Sequence, residues 1–368
     1  MTRLSVRRAL KVTAIVLGTV LAGAAAVVVY FAVRSPGTVE PITDEKGKPV
    51  PNSISEKTWV SINGTEQGMF IRGRDARKPV LLFLHGGPGM PEYFMFDKYE
   101  TGLEDHFVVC YWEQRGAGLS YHPGEAAQDI TVEQLVRDTA SVAQYLRERF
   151  GRQKVYLMGH SWGSFIGIQS AASNPELYEA YIGVSQISDQ ARSEMLAYDY
   201  LLDQYSRIGN SGRVAELQQF DVHSSEAALD SFSTSALRDT AMHELGVGST
   251  RTMNSVITGI FLPVMECAAY TLGEKVNIWR AKSFLNSQTD LHRQMMETDL
   301  SETARHFTIP VYFMAGLHDY TVNYDLQRQY FDAVDAPRRG FYSFENSAHS
   351  PLFEEPQRFL DAIEQIVE

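Results

Sequence analysis

The sequence contains very little cysteine: Cys110 and Cys267 are the only two cysteines in 368 residues. Two cysteines allow at most one bridge, so a disulfide framework cannot stabilise this fold. Cys110 lies in the strand-like segment FVVCYWEQRG, where a buried thiol is the expected state. The fold must therefore depend on a hydrophobic core, which 44% hydrophobic residues can supply.

The sequence also lacks motifs for metals, nucleotides and nucleic acids. Its 10 histidines are scattered and show no H-E-x-x-H spacing. Neither a phosphate-binding loop nor a dinucleotide-binding glycine pattern occurs at a strand-helix junction. The formal net charge is −12 and no stripe of Lys and Arg is present, which argues against binding to nucleic acid phosphates. We therefore expect no metal, no cofactor and no nucleic acid partner, and a small-molecule or short-peptide substrate.

Charge is absent from residues 12–33, a continuous stretch of 22 residues. A helix of that length spans a hydrocarbon core of about 30 Å, which predicts a transmembrane signal anchor in contact with the lipid bilayer. The basic residues of segment 1–11 predict a cytoplasmic tail and place the remaining chain on the extracytoplasmic side of the cell membrane. A cleavable secretory signal is the alternative, because the small residues AGAAA at 22–26 resemble a cleavage site. The apolar residues 27–33 continue beyond that site and favour the uncleaved anchor.

The rest of the chain alternates between strand-like and helix-like segments. Six continuous apolar runs are typical of a parallel sheet covered on both faces, and Asn63-Gly64 predicts a hairpin before them. Residues 131–150 have helical periodicity after TVEQ, which has the form of a capping box, so the fold class is α/β. The predicted divisions are an extended linker at 34–54 that keeps the body clear of the bilayer, a core at 55–188, a helical cap at 189–305 and a second core part at 306–368.

The segment GHSWG at residues 159–163 places one serine between two glycines, after an apolar run and before a helical pattern. This is the spacing of a nucleophile elbow, in which a sharp strand-to-helix turn presents Ser161 and leaves no room for neighbouring side chains. A serine hydroxyl needs a base and an orienting acid before it can act as a nucleophile.

Asp319 and His349 are the candidates for acid and base. Each follows a predicted strand, at the sheet edge where active-site groups of open α/β sheets collect, and their chain order after the serine fits the elbow. The rival bases are His160, which should point away from the nucleophile, and His318, which adjoins the acid. Asp325 and Asp335 are the rival acids, in helical or turn-like sequence.

An oxyanion hole requires backbone donors near the serine. The backbone N–H of Trp162 is the first candidate, because this residue follows the nucleophile. The glycine-rich segment HGGPG at residues 85–89 follows an early strand and brings bare backbone close to a substrate carbonyl. Within it, Gly87 is the first choice for the second donor and Gly86 the alternative.

The three ordered motifs HGGPG, WEQRGAGLS and GHSWGS resemble the α/β-hydrolase fold, specifically the prolyl iminopeptidase-like serine peptidase family, over residues 55–368. The resemblance implies a mostly parallel sheet with a helical cap insertion and a triad of Ser161, Asp319 and His349.

The sequence departs from the family pattern at two places. Glu113 replaces the aspartate usual in W-D-Q-R-G, near Arg115, and the W-x-x-W-E cap segment that binds a substrate amino group is missing. Trp279 is the one cap tryptophan, and the acids left as candidates for that group are Glu194, Glu244, Glu266 and Glu274.

Three functions are compatible with these residues. The first is an aminopeptidase that releases N-terminal residues from short peptides through an acyl-enzyme on Ser161. The second uses the same triad to hydrolyse a carboxylic ester, a lactone or another amide. The third is a membrane-tethered binding protein that has lost the catalytic activity. The presence of a suitable residue at every catalytic position argues against it.

Overall fold

The computed structural model describes residues 3–367, and the side chains of residues 11–367. The first two residues of the predicted cytoplasmic tail lie outside the described residues. One eight-stranded sheet has the order β1-β2-β4-β3-β5-β6-β7-β8, with antiparallel pairing of β1 with β2 and of β2 with β4, and parallel pairing elsewhere. The strands are β1 (Ile54–Ile62), β2 (Thr65–Gly73), β3 (Val80–Leu84), β4 (Val108–Trp112), β5 (Val155–His160), β6 (Tyr178–Val184), β7 (Val311–Gly316) and β8 (Arg339–Phe344).

Helices cover both faces of the sheet, which confirms the predicted α/β class. They come before, between and after the strands, and short 3₁₀ turns and a π-helical segment at Ile257–Phe261 add to them. In chain order they are α1 (Arg3–Val33), α2 (Tyr93–Lys98), α3 (Leu103–His106), α4 (Val132–Phe150), α5 (Trp162–Ser173), α6 (Gln190–Arg207), α7 (Ser211–Leu217), α8 (Glu226–Ser233), α9 (Ala236–Glu244), α10 (Leu262–Glu266), α11 (Leu272–Gln288), α12 (Leu291–Met296), α13 (Leu300–Thr303), α14 (Tyr324–Ala333), α15 (Pro351–Glu354) and α16 (Pro356–Val367).

The central strands are apolar along their whole length because both of their faces are buried. In β3 every residue is at most 1% exposed. Alternate residues serve opposite faces: Leu82 and Leu84 belong to the core that includes α4 and α5, whereas Leu81 and Phe83 belong to the core that includes α16. This two-sided burial explains why the sequence shows continuous apolar runs instead of alternation.

The segment between β6 and β7 is helical and holds α6 to α13. Its helices have a hydrophobic cluster of their own, in which Tyr198, Phe232 and Met242 are buried. The crossing from β6 to β7 therefore leaves the sheet, builds a separate helical layer and returns to pair in parallel with the same sheet.

The segment expected to be an extended spacer, residues 34–54, packs against the body instead. Ser35 and Ile42 are buried, and the Gly37 N–H donates to the Ala268 carbonyl at 3.0 Å. The Lys275 Nζ donates to Ser35 Oγ at 2.7 Å. Its Pro, Gly and charge content predicted an extended conformation, but tertiary contacts fix the segment in place.

Helix α1 contains one long apolar stretch. Lys11–Val33 has a mean hydropathy of 2.5 and is not buried against the rest of the chain. Its length and composition suffice to cross a membrane, and a secretory signal sequence would have the same properties.

Candidate active site

Ser161 lies on the sharp turn between β5 and α5. Its φ of 53° and ψ of −121° are in a region that side chains other than glycine rarely adopt. The flanking glycines have no space for a side chain: a Cβ at Gly163 would overlap the Leu84 carbonyl, and one at Gly159 would overlap the Gly163 carbonyl. The tight packing of α5 against β3 and β5 therefore requires both glycines, and the turn between β5 and α5 presents the serine on its strained backbone.

Asp319 and His349 form a hydrogen-bonded pair. His349 Nδ1 lies 2.9 Å from Asp319 Oδ2, and the Asp319 side chain is completely buried. The other carboxylate oxygen accepts the Val322 N–H at 2.9 Å, which fixes its orientation. Because the carboxylate accepts a hydrogen bond from Nδ1–H, Nε2 of His349 is left as the nitrogen with a free lone pair.

The end of β6 joins the serine turn to the histidine loop. The Ser161 N–H donates to the Val184 carbonyl at 3.0 Å, and the next residue, Ser185, donates from Oγ to the His349 carbonyl at 2.8 Å. The loops after β5, β6 and β8 thus meet at one edge of the sheet, and the Asp319 loop after β7 joins them.

His160, the rival base, holds the histidine loop from the other side. Its Nε2 lies 2.8 Å from the His349 carbonyl, and its Nδ1 lies 2.7 Å from Glu92 Oε1. Burial alone would lower the pKa of His160, but the Glu92 carboxylate outweighs burial and raises it. Both ring nitrogens are therefore engaged, so His160 positions the loop and is not available as a base.

Glu92 was not recognised from the sequence. The signal was a single acid in the otherwise uncharged segment GMPEYFMF, directly after the glycine-rich loop. A lone acid in an apolar segment gives no indication of its partner, because His160 is 68 residues away in the chain.

The other rivals have different roles. The His318 N–H donates to the Ser347 carbonyl at 3.0 Å, so this residue connects the two triad loops through its backbone. Asp325 lies in the first turn of α14. Asp335 is exposed and lies 3.2 Å from His306. Among the described residues, Asp319 is the acid within hydrogen-bond distance of His349.

His85 orients the glycine-rich loop. Its Nε2 accepts the Gln114 N–H at 3.1 Å, so the ring proton lies on Nδ1, which donates to the Gly86 carbonyl at 2.7 Å. Burial lowers the pKa of His85, in agreement with a neutral ring. Because the C=O and N–H of a trans peptide point in opposite directions, the Gly87 N–H is turned away from His85.

Gly86 lies next to the serine, since a Cβ on Gly86 would be 3.4 Å from Ser161 Cβ. The backbone N–H groups of Gly87 and Trp162 have no hydrogen-bond acceptor within residues 3–367. Two unpaired donors beside a nucleophile elbow are what an oxyanion hole requires. The Gly86 carbonyl accepts the His85 Nδ1–H, and the Gly86 N–H likewise has no acceptor within residues 3–367. Gly87 therefore stays the first choice for the second donor and Gly86 the alternative.

Glu113 does not contact Arg115, where a carboxylate was expected. Its carboxylate accepts hydrogen bonds from the Tyr270 hydroxyl and from the Leu119 N–H, the latter at 2.5 Å. Arg115 pairs with Asp138 instead, at 2.6 Å. The glutamate at this position therefore connects the core to the segment before α11.

Most of the cap acids considered for a substrate amino group are engaged in ion pairs. Glu266 is exposed, and the other three each pair with a cation. A carboxylate that already has a cationic partner offers little to a substrate ammonium. The pairs are Glu194–Arg238 at 2.7 Å, Glu244–Arg213 at 2.5 Å and Glu274–Lys57 at 3.0 Å.

Residues 79–356 match the family model described as the alpha/beta hydrolase fold. The chain belongs to the α/β-hydrolase family. It is 30% identical over 319 residues to the probable aminopeptidase YbaC of Bacillus subtilis, a match that covers 86% of this chain and 97% of the relative. Proline iminopeptidase of Lactobacillus acidophilus is 35% identical over 107 residues, which cover 28% of this chain and 34% of the relative.

Solved structures agree on the α/β-hydrolase fold. Proline iminopeptidase of Mycobacterium smegmatis superimposes with a TM-score of 0.62 at 19% identity, covering 84% of this chain and 97% of that one. A proline iminopeptidase-related protein of Thermus thermophilus superimposes with a TM-score of 0.54 at 17% identity, covering 85% and 97%. The chain is thus an α/β hydrolase with aminopeptidase-named relatives, which confirms the predicted fold.

Proposed function

We propose that this α/β hydrolase is a membrane-anchored serine aminopeptidase that releases N-terminal residues from short peptides. The observation that carries the proposal is the hydrogen-bonded Asp319–His349 pair, joined through the end of β6 to a strained serine on the elbow. The aminopeptidase and proline iminopeptidase names of the relatives support the substrate class.

In the proposed reaction, Ser161 Oγ attacks the carbonyl carbon of the first peptide bond while His349 Nε2 takes the hydroxyl proton. Asp319 orients the ring and stabilises the imidazolium that forms. The N–H groups of Trp162 and Gly87 stabilise the oxyanion. Cleavage of the C–N bond transfers the proton from His349 to the leaving amine, and a water molecule then hydrolyses the acyl-enzyme by the same proton transfers.

A second candidate keeps this machinery and changes the substrate to a carboxylic ester, a lactone or another amide. The ion pairs that occupy three of the four cap acids favour it, because they leave Glu266 as the only one of the four outside a described ion pair for a free amino group. A non-catalytic binding protein is the third candidate, and the complete set of positioned groups weighs against it.

The proposed organisation is a cytoplasmic tail at 1–11, a single-pass anchor at 12–33, a hydrolase core at 55–188 and 306–368, and a cap at 189–305. The apolar helix and its basic flank support an extracytoplasmic catalytic domain. The separate hydrophobic cluster of α6 to α9 supports the division between core and cap.

The test is turnover of a substrate panel by the full chain and by Ser161→Ala. Proline and alanine anilides, the same anilides with a blocked amino group, and short-chain acyl esters distinguish the candidates. We expect Ser161→Ala to fold normally and to lose turnover by at least about 10³-fold, while the control Ser173→Ala, on the exposed end of α5, keeps it.

Each outcome decides between the candidates. Anilide cleavage that disappears when the amino group is blocked supports the aminopeptidase. Cleavage of esters alone supports the second candidate. Turnover retained by Ser161→Ala contradicts the assignment of the nucleophile.

A further inference from the structure

An exposed apolar surface follows the cap loop that contacts the active site. Residues 252–265 contain no charged side chain. Within them Ile257 is 63% exposed and Phe261, four residues further along the helical segment, is 39% exposed. We call these two residues the apolar ridge. Its exposure to water is unfavourable unless something apolar covers it.

The end of this segment is attached to the base of the membrane helix. α10 ends at Glu266, and the Ala268 carbonyl accepts the Gly37 N–H at 3.0 Å, four residues after α1 ends at Val33. The bridge between Pro36 and Thr271 and the bond from Lys275 to Ser35 strengthen this attachment. These contacts fix the C-terminal end of the apolar segment close to the point where the chain leaves α1.

The start of the segment is attached to the histidine loop. The Gly248 carbonyl accepts the His349 N–H at 3.4 Å, and the Arg251 N–H donates to Glu354 Oε1 at 2.6 Å. The apolar segment therefore joins the candidate active site to the base of α1.

We propose that the bilayer surface covers the apolar ridge, so that Ile257 and Phe261 insert into the boundary between headgroups and acyl chains. This inference rests on the membrane anchoring in the proposed function. The attachment at Gly37 and Ala268 identifies the bilayer as the occupant, because an anchored α1 brings lipid to this side of the molecule. The Phe261 ring also packs 5.5 Å from the Trp279 ring, and aromatic side chains are enriched at membrane interfaces.

The test uses the full chain reconstituted in phosphatidylcholine vesicles, with an environment-sensitive fluorophore on Ile257→Cys. Both native cysteines are buried, so labelling is selective. The matched control is Ile208→Cys, a cap residue that is also 63% exposed. A third label, on Val27→Cys, reports on the anchor itself. Lipids that carry a nitroxide near the headgroup or along the chain quench fluorophores at the corresponding depth.

We expect shallow quenching at Ile257→Cys that is several-fold stronger than at Ile208→Cys, and deep quenching at Val27→Cys. If Ile257→Cys folds poorly, a label on Phe261→Cys should show the same shallow quenching. Equal quenching at Ile257 and Ile208 overturns the inference, and so does quenching confined to Val27. No quenching at Val27 contradicts the anchoring itself, and the inference falls with it.

Discussion

Glu113 is a carboxyl group enclosed entirely by protein. Burial raises its pKa to about 8, against the opposing effect of hydrogen bonds from Tyr270 and Leu119. The group is therefore mostly neutral at pH 7 in the folded protein and ionised in the unfolded chain. As pH rises from about 4.5 to about 8, the unfolded state loses this proton first, so the folded state loses stability by at most about 1.4 kcal/mol per pH unit.

The variant Glu113→Gln should remove this pH dependence. An amide mimics the protonated carboxyl, because its oxygen accepts the Leu119 N–H and its nitrogen donates to the Tyr270 hydroxyl. We expect the variant to gain stability relative to the native chain as pH rises from 5 to 8. Thermal midpoints across this range measure the effect, with Glu133→Gln as a control on the exposed face of α4. Parallel curves for the native and Glu113→Gln chains would mean that Glu113 is ionised in the folded state.

The short helix α15 connects the cap to the histidine loop through Glu354. Its carboxylate accepts the N–H groups of Ala348 at 2.9 Å and Ser350 at 3.3 Å, on either side of His349, and also that of Arg251. Burial raises the pKa of Glu354 to about 7, although these three N–H groups lower it. In the proposed reaction Glu354 is thus a positioning residue, which acts on substrate only through His349.

The variant Glu354→Gln should lower kcat at pH 8 by roughly ten-fold, since an amide nitrogen cannot accept an N–H and an unpaired buried N–H costs about 1–3 kcal/mol. The native carboxyl is itself neutral below about pH 7. The ratio of native to variant kcat should therefore approach one at pH 6. The control is Glu345→Gln, on an exposed residue of the same loop region. A ratio that stays constant from pH 6 to pH 8 would show that the Glu354 charge does not support His349.

Local sequence patterns predicted the elements well. The apolar runs match β3 to β8, and the helix predicted after TVEQ is α4, in which the Thr131 hydroxyl accepts the Gln134 N–H at 3.1 Å. The capping box is only half formed, because the Gln134 side chain donates to Asp138 instead of returning to Thr131. Asp138 is only four residues away, but it also accepts hydrogen bonds from Asn63, Gln67 and Arg115, which the local pattern does not reveal.

In the candidate site, too, local patterns predict some residues and tertiary contacts determine the others. A fixed spacing predicts Ser161 as the nucleophile, and chain order with strand position predicts Asp319 and His349, which lie within hydrogen-bond distance of each other. Nothing local identifies Glu92 or Glu354, because each acts on backbone or side chains that only the folded chain brings near. The docking of residues 34–54 was missed for the same reason, since their composition is that of a spacer and two of their partners, Ala268 and Lys275, are more than 200 residues away.

At the scale of the whole molecule, Lys275 holds the docked segment to the body. Its side chain is fully buried, and its Nζ donates to Ser35 Oγ and to the Met265 carbonyl, each at 2.7 Å. Methionine at this position has nearly the same length but no donor. Lys275→Met should therefore release the segment while the sheet and the triad remain intact.

Limited trypsin digestion measures that release. Lys46 is exposed in the turn of the docked segment and precedes Gly47, and cleavage there should be several-fold faster in Lys275→Met than in the native chain. Lys78→Met, on an exposed loop before β3, is the matched control. Equal cleavage rates in all three chains would show that other contacts hold the segment.

For the membrane-anchored enzyme proposed above, a docked segment also determines how the enzyme would meet its substrates. Fully extended, residues 34–54 would span up to about 70 Å, enough for the hydrolase to move through a deep layer of solution above the bilayer. Packed against the body, they remove that freedom and leave lateral diffusion in the plane of the membrane. The rate of encounter is then set by the surface density of substrates at the bilayer and not by their concentration in the surrounding volume.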